Sequence, residues 1–268
     1  MKTCGEIRDW FNERWPESLA CQWDNVGLLV GRAGKEIQKI YVTLDVTDED
    51  VEAAVSMGAD MILSHHPLIF GPVKRINDAD PHGRRLLTLI REDICCYGGH
   101  TSFDIAKGGM ADLAAERLGL FDETKPLEPL EATAEQDGEA VGIGKVGFLK
   151  EPMTVEALAR TVKERFQIPA VTVYGDFSEK RAGRIAVSPG SGKSMMKEAV
   201  RAGVDVLITG DMGHHEGLDL AAEGISLIDA GHYGLEHIFV EEVAKALEEE
   251  QFGLEVVRAP LHYPCRVI

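Results

Sequence analysis

The sequence predicts an α/β protein of two similar lobes, each with a mostly parallel sheet built from duplicated βαβ units. Three observations carry this. Apolar, β-branched runs alternate with helix-like runs along the chain, the pattern of βαβ units. Residues 39–66 can be laid on residues 184–211 without a gap, at a constant shift of 145. A Gly-His-x₃-carboxylate cluster, Gly99-His100 to Asp104, returns as Gly231-His232 to Glu236 at a shift of 132.

Taken in order, Lys39–Val46 is β-branched and aromatic and reads as a strand. Thr47 suits the N-cap of a helix over Glu49–Met57, and Met61–Leu63 reads as a second buried strand. A short apolar run, Ile94–Tyr97, leads into the first histidine–carboxylate cluster. Asp122–Gly144 is polar and rich in Glu, Pro and Thr, which marks it as the boundary between the halves. Thr154–Phe166 follows as a capped helix and Ala170–Tyr174 as a strand. Arg184–Val187 and Val206–Thr209 read as strands around a helix at Ser194–Ala202. Ile40/Ile185, Val42/Val187, Ala54/Ala199, Val55/Val200, Gly58/Gly203 and Asp60/Asp205 are identical across the repeat. Such identity at Gly and Asp favours duplication over the apolar pattern that any two βα units share. The change of shift places 13 extra residues in the first half, where the loop Gly71–Gly83 can hold them. The expected lobes are residues 1–125 joined by 235–268, and residues 126–234, with a metal site between them.

Composition narrows the function. The chain has 28 Lys and Arg against 45 Asp and Glu, a net charge of −17. That argues against nucleic-acid binding and against docking on anionic membranes, both of which need clustered positive charge. No targeting signal or membrane-length apolar run is visible. The five cysteines are an odd number without CxxC spacing, and they read as free thiols of a cytoplasmic protein. The Cys95-Cys96 pair reads as core filling.

The chemistry gathers at strand ends, where α/β sheets present their ligand-binding groups. Ser64-His65-His66-Pro67 follows the strand Met61–Leu63. Adjacent side chains diverge in extended backbone, so two neighbouring metals, each taking one histidine, fit better than one chelated ion. Asp104 offers a hard oxygen ligand beside imidazole. His232 and Glu236 are four residues apart at a helix start, so both lie on one face. His65, His66, Asp104, His232 and Glu236 thus supply three imidazoles and two carboxylates, which suits a dinuclear site with a bridging carboxylate. As ordinary readings, the histidine pair would be surface residues and the i, i+4 pair a helix-face salt bridge.

Three other features compete for attention. His214-His215 after Gly210-Asp211 reads better as a polar loop or helix start than as ligands. Ser188–Ser194 looks like a phosphate loop, but Val187 stands where the Walker pattern needs glycine. Backbone N–H groups at Gly190, Ser191 and Gly192 could still hold an anion, with a tight turn as the plain alternative. Trp23–Leu28 is explained mainly by packing and turn geometry.

Assembled, these residues resemble a known family, the type 2 GTP cyclohydrolase I homologues or Nif-three-like dinuclear metal-centre proteins. The matching segments are Trp23–Leu28, Ser64–Pro67, His100–Asp104, Ser188–Gly192, Ile208–Asp211 and Gly231-His232 with Glu236, in order along nearly the whole chain. The resemblance implies metal ligation by His65, His66, Asp104, His232 and Glu236, and a toroidal homohexamer of two-lobed subunits. Two departures stand out. Ser102-Phe103 replaces the Asn-Leu common before the aspartate, and the long inserted domain of many members is missing.

The expectation is a hydrolase with two divalent ions (Zn, Mn or Fe), acting on a small anionic substrate such as a nucleotide or phosphoester. The family name suggests opening of the purine ring of GTP. Glu236 would bridge, Asp104 would balance charge, and His100 would serve as acid or base or as a supporting partner behind a ligand. The rival expectation is a non-catalytic, metal-binding oligomeric scaffold or regulatory binding protein.

Overall fold

The computed structural model describes residues 1–124, 126–176 and 178–268. The chain divides into two compact units, residues 1–103 with 239–261 and residues 104–238 with 262–268.

In the first unit, β1 (Lys2–Thr3) leads into α1 (Cys4–Arg14), which Thr3 and Glu6 close with a capping box. There follow β2 (Gly27–Val30), β3 (Glu36–Ile37), β4 (Lys39–Thr43), α2 (Asp48–Ser56), β5 (Met61–Ser64), α3 (Pro81–Arg91), β6 (Cys95–Gly98) and α4 (His100–Ile105). Thr47 caps α2 as its sequence requires, with Asp50 returning the bond. The five-stranded sheet has the order β13-β4-β5-β6-β2, where β13 (Glu255–Arg258) arrives from the far end of the chain after α10 (Ile238–Glu249). Only β2 runs antiparallel. Every residue of β5 and β6 is buried, as expected of parallel strands covered on both faces. Tyr41, Ile62 and Cys96 pack with Val51 and Ala54 of α2 and with Leu86 and Leu89 of α3. The alternate residue Tyr97 meets Phe11 of α1 at 5.0 Å between ring centroids.

The second unit holds α5 (Met110–Leu118), β7 (Glu128–Gln136), β8 (Glu139–Thr154), α6 (Val155–Arg165), β9 (Thr172–Tyr174), β10 (Arg181–Ser191), α7 (Met196–Ala202), β11 (Val206–Gly210), α8 (His214–Ala222), β12 (Ser226–Asp229) and α9 (His232–Glu236). Its six strands have the order β7-β8-β10-β11-β12-β9, with Ala186, Leu207 and Leu227 packed on Ala199 and Leu220.

The duplication is visible in strand register. β4 pairs with β5 through Ile40↔Met61, and β10 pairs with β11 through Ile185↔Val206, both at the shift of 145. It extends further than the sequence reading took it. The edge strand β2 pairs Leu28 with Tyr97, and β9 pairs Val173 with Ile228, again antiparallel. The opening helices α1 and α6 each have 11 residues and a threonine N-cap.

Two expectations need correction. The later shift is 131 in the strands, because Cys95 pairs with Met61 as Ser226 pairs with Val206. One additional residue before α9 restores 132, and it falls where Gly231 adopts a positive φ of 73°. Asp122–Gly144 lies within the second unit instead of bounding it, and most of it forms the β7–β8 hairpin. Asp137 (φ 53°) and Gly138 (φ 77°) make its tight turn, the Asp-Gly pair that a primed hairpin turn prefers. With this hairpin and β9, antiparallel pairings outnumber parallel ones in the second sheet. Cys95 and Cys96 are both fully buried core residues, and none of the five cysteines is in a disulfide.

Candidate metal centre

In the first unit, His65 and His66 form a bend directly after β5. Their N–H groups donate to Thr43 O (3.2 Å) and Leu44 O (2.9 Å). Their rings still sit 4.9 Å apart, and both face the ring of His100, at 5.5 and 5.6 Å. His65 is fully buried, walled by Phe103 and Phe239. His100 opens α4 with a φ of 26°, unusual for a residue with a Cβ, and its N–H donates to His65 O at 2.9 Å. One ring nitrogen from each of His65, His66 and His100 lies within 4.8 Å of the others, so this trio could hold a cation. Asp104 stands one helical turn beyond His100 on α4.

Carboxylates hold these rings from behind. Asp45 Oδ1 lies 2.7 Å from His66 Nδ1, and Asp24 Oδ1 lies 2.7 Å from His100 Nδ1. Asp24 also accepts from Thr101 N (3.1 Å) and Thr101 Oγ1 (2.5 Å). Burial opposes its charge, but the hydrogen bonds from His100 and Thr101 prevail and hold its carboxyl at about 2. An ionised carboxylate only accepts, so it draws the imidazole proton onto Nδ1 and leaves the Nε2 lone pair for a metal.

In the second unit, β12 ends in the turn through Gly231, whose N–H donates to Asp229 Oδ1 at 2.9 Å. The short α9 then sets His232 Nε2 2.8 Å from Glu236 Oε2, with Glu236 only 3% exposed. Asp211 Oδ2 lies 3.0 Å from His232 Nδ1 and repeats the arrangement of the first unit. Gly190, at the end of β10, fits because it has no side chain. A Cβ there would lie 2.6 Å from Glu236 Oε1 and 3.8 Å from His232 Nε2. Gly192 is confined likewise, its Cβ position lying 2.1 Å from Thr209 Oγ1. The glycines of the supposed phosphate loop thus admit neighbouring side chains, with Ser191 between them at the strand end. Lys193 pairs with Glu216, and His214-His215 begin α8.

Imidazoles backed by carboxylates, and carboxylates such as those of Asp104 and Glu236, are donor types that suit borderline divalent ions. Sequence reasoning named candidate donors and did not foresee the support that Asp24, Asp45 and Asp211 give to His100, His66 and His232. The available signal was their place, since Asp45 and Asp211 follow the C-terminal ends of β4 and β11.

A family model described as Duf34/NIF3 (NGG1p interacting factor 3) matches residues 2–263. The chain belongs to the Duf34/NIF3 family. Among its Duf34/NIF3 relatives, a Clostridium perfringens protein named GTP cyclohydrolase 1 type 2 homolog is 36% identical, over 87% of this chain and 87% of its own. NIF3-like protein 1 of Drosophila melanogaster is 31% identical, over 92% of this chain and 84% of its own. The alignment to the Halalkalibacterium halodurans homolog runs over 354 residues, longer than the 268 residues here, so that relative carries sequence this chain lacks. A solved Staphylococcus aureus structure matches with a TM-score of 0.88 at 27% identity, covering 99% of each chain. A Bacillus cereus protein related to NIF3 shares the fold, with a TM-score of 0.90 at 24% identity, over 100% of this chain and 99% of its own. The resemblance carried by the motifs therefore holds. Among the described residues no helix is long and apolar enough to cross a membrane.

Proposed function

We propose that this Duf34/NIF3 protein is a dinuclear-metal-dependent hydrolase acting on a nucleotide or another phosphoester. His65, His66, Asp104, His232 and Glu236 would hold two divalent ions (Zn, Mn or Fe). The observation that carries the reading is the shared support of His66, His100 and His232, each held at Nδ1 by an aspartate. Outer carboxylates of this kind orient metal-binding imidazoles and raise their basicity. The printed name of the relatives, GTP cyclohydrolase 1 type 2 homolog, supports a nucleotide as substrate.

When bound, two such cations would lower the pKa of a water and polarise the electrophile. The protein's own groups do the rest. Glu236, with an oxygen for each ion, would bridge, and Asp104 would balance charge. His100, fixed at Nδ1 by Asp24, presents Nε2 to take or give a proton. Four positive charges against two ligand carboxylates leave a surplus that suits an anionic substrate.

Protein purified without chelator should carry two divalent ions per chain and turn over a member of a nucleotide and phosphoester panel. Chelation should abolish that turnover. A fully loaded protein inert to the whole panel would favour a second reading, a metal-stabilised binding protein, which the family's description as an interacting factor supports. Under either reading we propose a homo-oligomer, a hexamer by family resemblance, and light scattering on the eluted species tests it.

A further inference from the structure

Two aromatic rings stand in solvent beside the histidine trio. Trp23 is 62% exposed and Phe70 56%, whereas Trp10 and Trp15 are 5% and 6% exposed. The ring centroids of Trp23 and Phe70 are 6.0 Å apart at 51°. Each also lies 6.0 Å from the ring of His100, at 74° and 77°. The three rings form a triangle whose inner corner touches the trio. Because they meet at steep angles instead of stacking, they do not consume one another's faces.

The backbone beneath them is fixed. Asn25 Nδ2 donates to Ile69 O at 2.5 Å and ties the two ring-bearing segments together. Asp24 is bonded to His100 and Thr101, and Cys21 N donates to Thr101 Oγ1 at 3.0 Å. Large apolar rings held in water on an immobilised loop forgo the stabilisation of burial. Such an arrangement is preorganised for a ligand, since little ordering cost remains to be met on binding.

We propose that Trp23 and Phe70 seat the planar heteroaromatic base of a nucleotide, with its reacting part towards His100, His65 and His66. The proposal rests on the nucleotide-hydrolase reading and names the residues that select the base. The chain's charge of −17 offers a phosphate no general attraction. An uncharged contact would add affinity beyond that of the cations. Stacking on an aromatic side chain supplies one, and it accepts any base because every base has a π-face.

The test uses the full-length, metal-loaded protein with guanosine monophosphate and ribose 5-phosphate as probes. With Trp10 and Trp15 buried, Trp23 reports the solvent-facing tryptophan emission. Guanosine monophosphate should quench it and bind more tightly than ribose 5-phosphate. Trp23→Ala and Phe70→Ala should each weaken guanosine monophosphate by roughly 5- to 100-fold. Their metal content and their ribose 5-phosphate affinity should stay at wild-type values, and Trp23→Phe should retain most of the binding. Equal binding of the two probes, or wild-type nucleotide affinity in Trp23→Ala, would overturn the proposal. So would a blue-shifted Trp23 emission that reddens on dilution, because it assigns the rings to a contact between copies. Metal content and turnover of non-aromatic phosphoesters decide the hydrolase reading separately, so the two failures are distinguishable.

Discussion

Asp60 and Asp205 occupy equivalent positions in the two halves and make the same bonds. Asp60 Oδ2 accepts from the backbone N–H groups of Gln38 (2.8 Å) and Lys39 (3.0 Å). Asp205 Oδ2 accepts from those of Gly183 (2.8 Å) and Arg184 (2.9 Å). The backbone repeats as well, with Asp60 N donating to Lys39 O at 2.9 Å and Asp205 N to Arg184 O at 2.8 Å. Lys35 and Lys180, also 145 residues apart, place their ammonium groups on Asp60 O (3.3 Å) and Asp205 O (3.0 Å). Each aspartate therefore ties the turn after a helix to the start of the preceding strand and fixes the register of the βαβ unit.

Removing either carboxylate should loosen its own half. Asp60→Ala and Asp205→Ala each strip two charge-assisted bonds from backbone N–H groups, and each should cost about 1–3 kcal/mol. Urea unfolding followed by circular dichroism measures this. A transition midpoint unmoved in both variants would show that the clasp contributes nothing to stability.

The same relationship shows why part of the molecule was legible in the sequence. Strands, caps and repeat are local or periodic features, and the five proposed donors lie directly after a strand or on the short helices that follow one. Asp45 was not found because its meeting with His66 depends on pairing between strands distant in sequence, where His65 N reaches Thr43 O. Asp24 was read as part of a turn, since its partner His100 is 76 residues away. The β7–β8 hairpin was missed because β7 is largely exposed and lacks a regular apolar alternation. Only its Asp137-Gly138 pair announced it.

The outer carboxylates should govern metal affinity. Asp45→Asn and Asp211→Asn leave His66 and His232 in place but weaken the hold on Nδ1. Metal affinity in a chelator competition should fall by roughly 10- to 100-fold. Nitrogen NMR of the metal-free protein should show the tautomer preference of the affected ring relaxing. Unchanged affinity in both variants would remove the carboxylates from the metal-binding role.

Asp24 should give the fold an acid-sensitive contribution. Its folded carboxyl is held at about 2, below the ordinary aspartate value, and its side chain is buried. A depressed folded value stabilises the native state above the unfolded value, and that contribution is lost as pH falls from about 4 through 2. Its full size is about 2 kcal/mol. The stability gap between wild type and Asp24→Asn should thus be widest near pH 6 and shrink steadily towards pH 2. Parallel stability curves over that range would show that Asp24 is not the group responsible.

Gly190 and Glu236 give the most direct test of the proposed centre. A carboxylate can bond one metal through each oxygen, whereas a neutral imidazole offers one lone pair, so bridging falls to Asp104 or Glu236. Glu236 has the longer stem and already touches His232 Nε2 at 2.8 Å. Glu236→Gln should therefore reduce binding of both ions and leave the melting temperature of the metal-free protein nearly unchanged, while His65→Ala or His66→Ala should mainly weaken one. Gly190→Ala reaches the same carboxylate from behind. The new Cβ would fall 2.6 Å from Glu236 Oε1, at a backbone φ of 81° that costs a residue with a Cβ about 1–2 kcal/mol. Gly190→Ala should then lose both ions as Glu236→Gln does, but with a lowered melting temperature of the metal-free protein that Glu236→Gln does not share. Elemental analysis and thermal melts on the two variants separate these effects. Two ions at full occupancy in Glu236→Gln would end the bridging assignment. Full occupancy in Gly190→Ala would show that the carboxylate can move aside without losing them.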